Sequence, residues 1–141
     1  LETDPTVFEL YRKQFKASEF FQEPTVMVSY LVVIADSEEE ANYLAKPIEM
    51  QQIALRRGRM IRNAAPEAVK DYEFTPGEAD YLNNNQAKRF ILKGTPEKVQ
   101  RLIEEEQALL GINELLAYSP IFDPQKRLDS YKHLARMFNK I

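Results

Sequence analysis

Gly94-Thr95-Pro96 is the stretch whose residue types best suit chemistry. A short apolar run ends in glycine, and a helix opens on a threonine cap followed by proline. Free backbone N–H groups and the positive end of the helix dipole collect there, which suits an anion. In α/β enzymes, ligands sit at that edge of a sheet. The simpler reading is that the glycine and proline only turn the chain and the threonine only caps. Tyr118 and Ser119 end the next apolar run and would lie on the same edge. They join Gly94 and Thr95 as rim candidates.

Other chemistry is sparse. Arg56-Arg57-Gly58-Arg59-Met60-Ile61-Arg62 is the basic cluster. It reads as a phosphate site or, more simply, as a solvated loop paired with acids of the preceding helix. No glycine-rich phosphate loop or interleaved aromatic accompanies it. His133, the single histidine, falls off the apolar stripe of its helix and reads as solvated or structurally hydrogen-bonded. Glu104-Glu105-Glu106 reads as a solvated helix face. Asp123 reads as a cap, with Arg127 placed to pair with it at four-residue spacing. There is no cysteine, so thiolate catalysis, disulfides and cysteine-bound metals are excluded. GxSxG, P-loop, HExxH and GxGxxG patterns are absent, and no catalytic or metal-ligating residue is assigned.

The elements that would position these residues follow from periodicity and caps. Asp4-Pro5 opens a first helix with Val7, Phe8, Tyr11 and Phe15 on one face. Thr25 to Ala35 is rich in β-branched residues and nearly continuous in apolarity, as in a strand covered on both faces. Asp36-Ser37 and three following acids open a helix to about Leu55, with Pro47 expected to kink or break it. Asn63 to Phe74 reads as loop with at most one helical turn. Thr75 and Glu78 form a capping box before a short helix that fades in Asn83-Asn84-Asn85. Phe90 to Pro120 then reads strand, helix, strand. Val99, Leu102, Ile103 and Leu110 form the helix stripe, Gly111 its left-handed stop, and Leu115 to Tyr118 the second strand. Asp123-Pro124 starts the last helix, with Leu128, Tyr131, Leu134, Ala135 and Phe138 apolar.

Three strands, each followed by a helix, make an α/β succession of parallel βα units. Three parallel strands close no barrel, so the sheet is either a small open layer or an arc of something larger. The 141 residues fit one domain, 1–141, with an irregular helical insertion at about 56–88. Formal charge −3 gives no general attraction to nucleic acid or anionic membrane. No apolar run suits a membrane span and no signal-peptide pattern is present, so cytoplasmic is the expectation. The chain begins at Leu1 rather than Met, and it is expected to be a processed or excised piece of a longer protein.

Several segments together resemble the bacterial-luciferase-like, flavin-dependent monooxygenases. They are Val26 to Ala45, Leu55 to Arg59, and Phe90 to Ala135. The last carries Gly94, Thr95-Pro96-Glu97, Gly111-Ile112-Asn113-Glu114, and Arg127 with Ser130, in the order of the family's carboxyl-terminal signature. The resemblance implies the last three βα units of a (β/α)8 TIM-type barrel, truncated here. It implies oxidation of an aldehyde or other small organic substrate by reduced flavin and O2. It implies reduced FMN as the cofactor, or a deazaflavin as in some relatives, with reduced flavin supplied by a separate reductase. Most flavin and catalytic positions of such a barrel would lie upstream of Leu1, leaving this piece inactive alone and without bound cofactor. Only rim roles for Gly94, Thr95, Tyr118 and Ser119 carry over, while Arg127 and Ser130 look structural.

Two other readings stand beside it. One is a small non-enzymatic α/β interaction domain whose sheet mediates homo-oligomer formation. The other is an anion- or nucleotide-binding module using Gly94-Thr95 and the Arg56–Arg62 cluster.

Overall fold

The computed structural model describes residues 4–83 and 91–139. The expected positions Asn84, Asn85 and Phe90, and the end of the insertion at 88, lie outside the described residues.

Helix α1 (Pro5–Gln14) opens on Asp4, whose carboxylate accepts the Thr6 N–H. Strand β1 spans Met27–Ile34, and helix α2 spans Glu38–Arg56 with Ser37 as its cap. In the insertion, α3 (Pro66–Val69) and α4 (Pro76–Asn83) are short helices. Strand β2 (Ile91–Gly94), helix α5 (Pro96–Leu110), strand β3 (Glu114–Tyr118) and helix α6 (Pro124–Met137) complete the described order. Helix α5 begins at the Thr95 cap and ends at Gly111 with φ 62°, as local capping chemistry requires. Helix α2 continues through Pro47 without a break. Its neighbours Ala41, Leu44, Ala45 and Ile48 are buried in one apolar cluster, and that packing outweighs the missing N–H.

All strand pairings are parallel, in the order β2-β1-β3. Three consecutive barrel strands would read β1-β2-β3, whereas here β1 lies between β2 and β3. The longest and most apolar strand takes the centre. Its carboxyl half, Leu31 to Ile34, pairs with Ile91 to Gly94. Met27 to Leu31 pair with Glu114 to Tyr118.

That order sends helices to both faces. On the first face, Val28, Tyr30, Val32, Ile34 and Leu92 meet Val99, Leu102 and Ile103 of α5, Leu134 and Met137 of α6, and Phe8 of α1. On the second, Val33 and Ala35 meet α2 and Ile121, with Leu31 and Ile91 alongside. A right-handed crossover from β1 to β2 and another back past β1 to β3 must pass over opposite faces. The amino-terminal part of the second face is left open: Met27, Leu116 and Tyr118 are exposed there. No helix among the described residues is long and apolar enough to cross a membrane.

Candidate functional site

Gly94 and Thr95 stand at the carboxyl end of β2, as their spacing predicts, and an anion already occupies the helix start. Glu38, in the first turn of α2, reaches across the sheet edge. Its Oε1 accepts the Thr95 backbone N–H at 3.0 Å, and its Oε2 lies 2.5 Å from the Lys98 ammonium. The Thr95 hydroxyl accepts the Lys98 N–H. The hydrogen bond from Lys98, then the one from Thr95, holds the Glu38 carboxyl below its ordinary range. Gly94 has φ 144°, and a Cβ there would come within 2.5 Å of Glu38 Oε1. The glycine makes room for the chain's own carboxylate, and a phosphate would have to displace it.

Tyr118 and Ser119 are neighbours in sequence but differ in surroundings. Tyr118 lies on the open second face and is exposed. Ser119 is fully buried: its N–H donates to the Tyr131 hydroxyl at 2.9 Å and its Oγ lies 3.3 Å from Ser130 Oγ. Ser130 Oγ in turn accepts the Ile34 N–H at 3.0 Å. This hydroxyl pair supplies an acceptor at the carboxyl end of β1, where the backbone would otherwise leave a buried donor unpaired. Arg127 does not pair with Asp123; its Nε donates to the Ile121 carbonyl, while Asp123 caps the Lys126 N–H.

The arginine cluster is largely tied into the insertion. Arg57 pairs with Glu78 at 3.0 Å, and Arg56 lies 4.3 Å from the Tyr81 ring centroid. The partner is an acid of α4, not of the preceding helix. Glu78 is nearly fully buried and also accepts from Tyr72 Oη and the Thr75 N–H. The Thr75 backbone bond, with the two hydroxyl donors, holds its carboxyl below the ordinary range against the effect of burial. Past Gly58 the loop returns along α2, where the Gln51 side chain donates to the Ile61 carbonyl, and Asn63 Nδ2 donates to the Pro120 carbonyl at 2.6 Å.

Sequence reasoning missed three contacts. Glu106 is not simply solvated: it accepts the hydroxyl of buried Tyr30 at 2.8 Å. Glu49, buried on α2, pairs with Lys93 of β2. Arg12 of α1 donates to the carbonyls of Leu110 and Gly111, closing the carboxyl end of α5. A carboxylate on an otherwise apolar stripe, as at Glu49, is the one signal that pointed to any of them. His133 Nε2 lies 3.4 Å from Asp36 Oδ1, beside a cleft between α2 and α6. Among the described residues, no group of His, Asp and Glu side chains is arranged to hold a metal.

No protein-family profile matches the chain. It is 26% identical over 137 residues to the uncharacterized protein YceB of Bacillus subtilis, covering 97% of this chain and 41% of that one. It is 29% identical over 123 residues to a luciferase-like monooxygenase of Escherichia coli K12, covering 87% of this chain and 36% of that protein. The crystal structure of apo-MsnO8 superposes with a TM-score of 0.82 at 21% identity, over 97% of this chain and 42% of that one. This last likeness concerns the fold. The chain thus spans about two fifths of the length of the relatives it matches.

Proposed function

We propose that this chain is one part of a luciferase-like, flavin-dependent monooxygenase, in which reduced flavin and O2 oxidise an aldehyde or another small organic substrate. The observation that carries the reading is the 29% identity to a luciferase-like monooxygenase along 87% of this chain. The ordered signature from Gly94 to Ser130 runs through the same chain.

The α5 start is held by Glu38 and Ser119 is buried, so Tyr118 is the rim candidate left free to face a ligand. In this reading the flavin contacts and the reacting groups fall to other parts of the complete polypeptide. FMN is the first cofactor to try, with a deazaflavin second.

The open second face supports a place in a larger core. Met27, Leu116 and Tyr118 are exposed on one side of a sheet whose other side is covered, and apolar surface of this kind marks a packing site. In this reading the three-stranded sheet is part of the (β/α)8 barrel of the complete polypeptide. The exposed side chains of β1 and β3 then meet protein outside the described residues. A second reading, a non-enzymatic domain that pairs with its own copy, draws on the same face. Light scattering on the 141-residue chain separates them: a stable dimer with no oxygenase activity in the complete polypeptide favours the second.

The direct test supplies the complete polypeptide with reduced FMN, a reductase and O2, and follows loss of aldehydes and thioethers. Substrate-dependent oxidation above the flavin-only rate supports the monooxygenase reading. Its absence with both FMN and deazaflavin, across the panel, contradicts it.

A further inference from the structure

Adjacent strands β1 and β3 send their following helices to opposite faces. Helix α2 packs with Val33 on the second face, and α6 packs with Val28 to Ile34 on the first. In open α/β sheets the crevice outside the carboxyl ends of two such strands is where ligands bind. The corresponding gap between β1 and β2 is bridged by Glu38 on Thr95. The gap beside α6 is open, as a cleft of about 250 Å³ floored by Ile34, Ala35 and Leu44.

Its walls are charged. Asp36 and Glu40 come from the β1–α2 side, and Lys126, Asp129, Lys132, His133 and Arg136 from α6. Lys126 lies 2.5 Å from Glu40, Lys132 lies 3.2 Å from Asp129, and His133 lies 3.4 Å from Asp36. Arg136 has no ion-pair partner among the described residues. Three carboxylates balance the two lysines and Arg136, so protonation of His133 makes the cleft net positive. A guanidinium offers a planar fork of donors that matches a tetrahedral oxyanion. His133, one helical turn before Arg136, supplies a further donor on the same side of α6.

We propose that this cleft binds the phosphate group of a small molecule, with Arg136 as the principal contact and His133 as the second donor. The inference is independent of the oxygenase reading, since it uses neither flavin nor O2.

His133 is its own reporter. In the complete polypeptide, its imidazole resonance is assigned by its loss in His133→Gln. The probes are inorganic phosphate and glycerol 2-phosphate, with chloride at matched ionic strength as control. The expected result is a saturable shift with either phosphate probe and at least about tenfold weaker binding in Arg136→Gln. The tighter of the two probes identifies free phosphate or a phosphomonoester as the ligand. A shift that does not saturate, that chloride reproduces, or that Arg136→Gln leaves unchanged overturns the proposal. Arg136 is exposed, so its substitution does not threaten the fold.

Discussion

Glu38 Oε1 accepts the Thr95 backbone N–H at 3.0 Å, across 57 residues of chain. One carboxylate serves two helix starts, standing in the first turn of α2 and on the first turn of α5. It also ties two elements on opposite faces of the sheet.

This contact predicts acid sensitivity with a definite sign. The Glu38 carboxyl is lowered in the fold, chiefly by Lys98 and then by Thr95. Its contribution is therefore present above the unfolded carboxylate pKa and is lost as pH falls through the lower folded value. Glu38→Gln should cost about 1 kcal/mol near neutrality, and should flatten the acid limb of a urea-midpoint against pH curve. An unchanged acid limb would show that Glu38 gains nothing from Thr95 and Lys98.

Gly94→Ala tests the same junction from the other side. A Cβ would lie 2.5 Å from Glu38 Oε1, at a φ of 144°. The variant should lose about 1 kcal/mol or more and should expose the Thr95 amide to hydrogen exchange. Wild-type protection of that amide would contradict the geometry.

Ser130→Ala removes the acceptor for the Ile34 N–H and the neighbour of Ser119 Oγ. Leaving a buried donor unpaired costs about 1–3 kcal/mol. Thermal unfolding should show Tm several degrees lower, with Ser130→Thr less affected than alanine if the hydroxyl fits. An Ala variant as stable as the parent would refute the structural role.

Arg12→Ala should free the last carbonyls of α5. The loss should be about 1 kcal/mol, with exchange faster at the amides of α1 and the end of α5 than elsewhere. Uniformly unchanged exchange would mean that α1 does not hold α5.

Local chemistry made much of the architecture readable. Thr95-Pro96 and Gly111 bound α5, Asp123 caps α6, and Thr75 with Glu78 opens α4. Each depends on residues within a turn of one another. What escaped reading depends on distant contacts. The central place of β1 follows from pairing with both Ile91 and Leu115 segments, which no local pattern specifies. Ser119 reads as a rim residue because it follows Tyr118, yet Tyr131 and Ser130 of α6 enclose it. Glu106 reads locally as one of three solvated acids, and its partner Tyr30 lies 76 residues away in the chain. Of the candidate edge, the Gly94-Thr95 turn was legible, and the carboxylate that fills it was not.

If the complete polypeptide is the oxygenase proposed above, an oxygen atom of O2 enters its organic product. The complete polypeptide would be given reduced flavin, an oxidisable aldehyde or thioether, and 18O2, and the product analysed by mass spectrometry. A monooxygenase leaves one 18O atom in the organic product, dependent on protein and on substrate. Product without label, or label at the rate of free reduced flavin alone, would contradict the proposal.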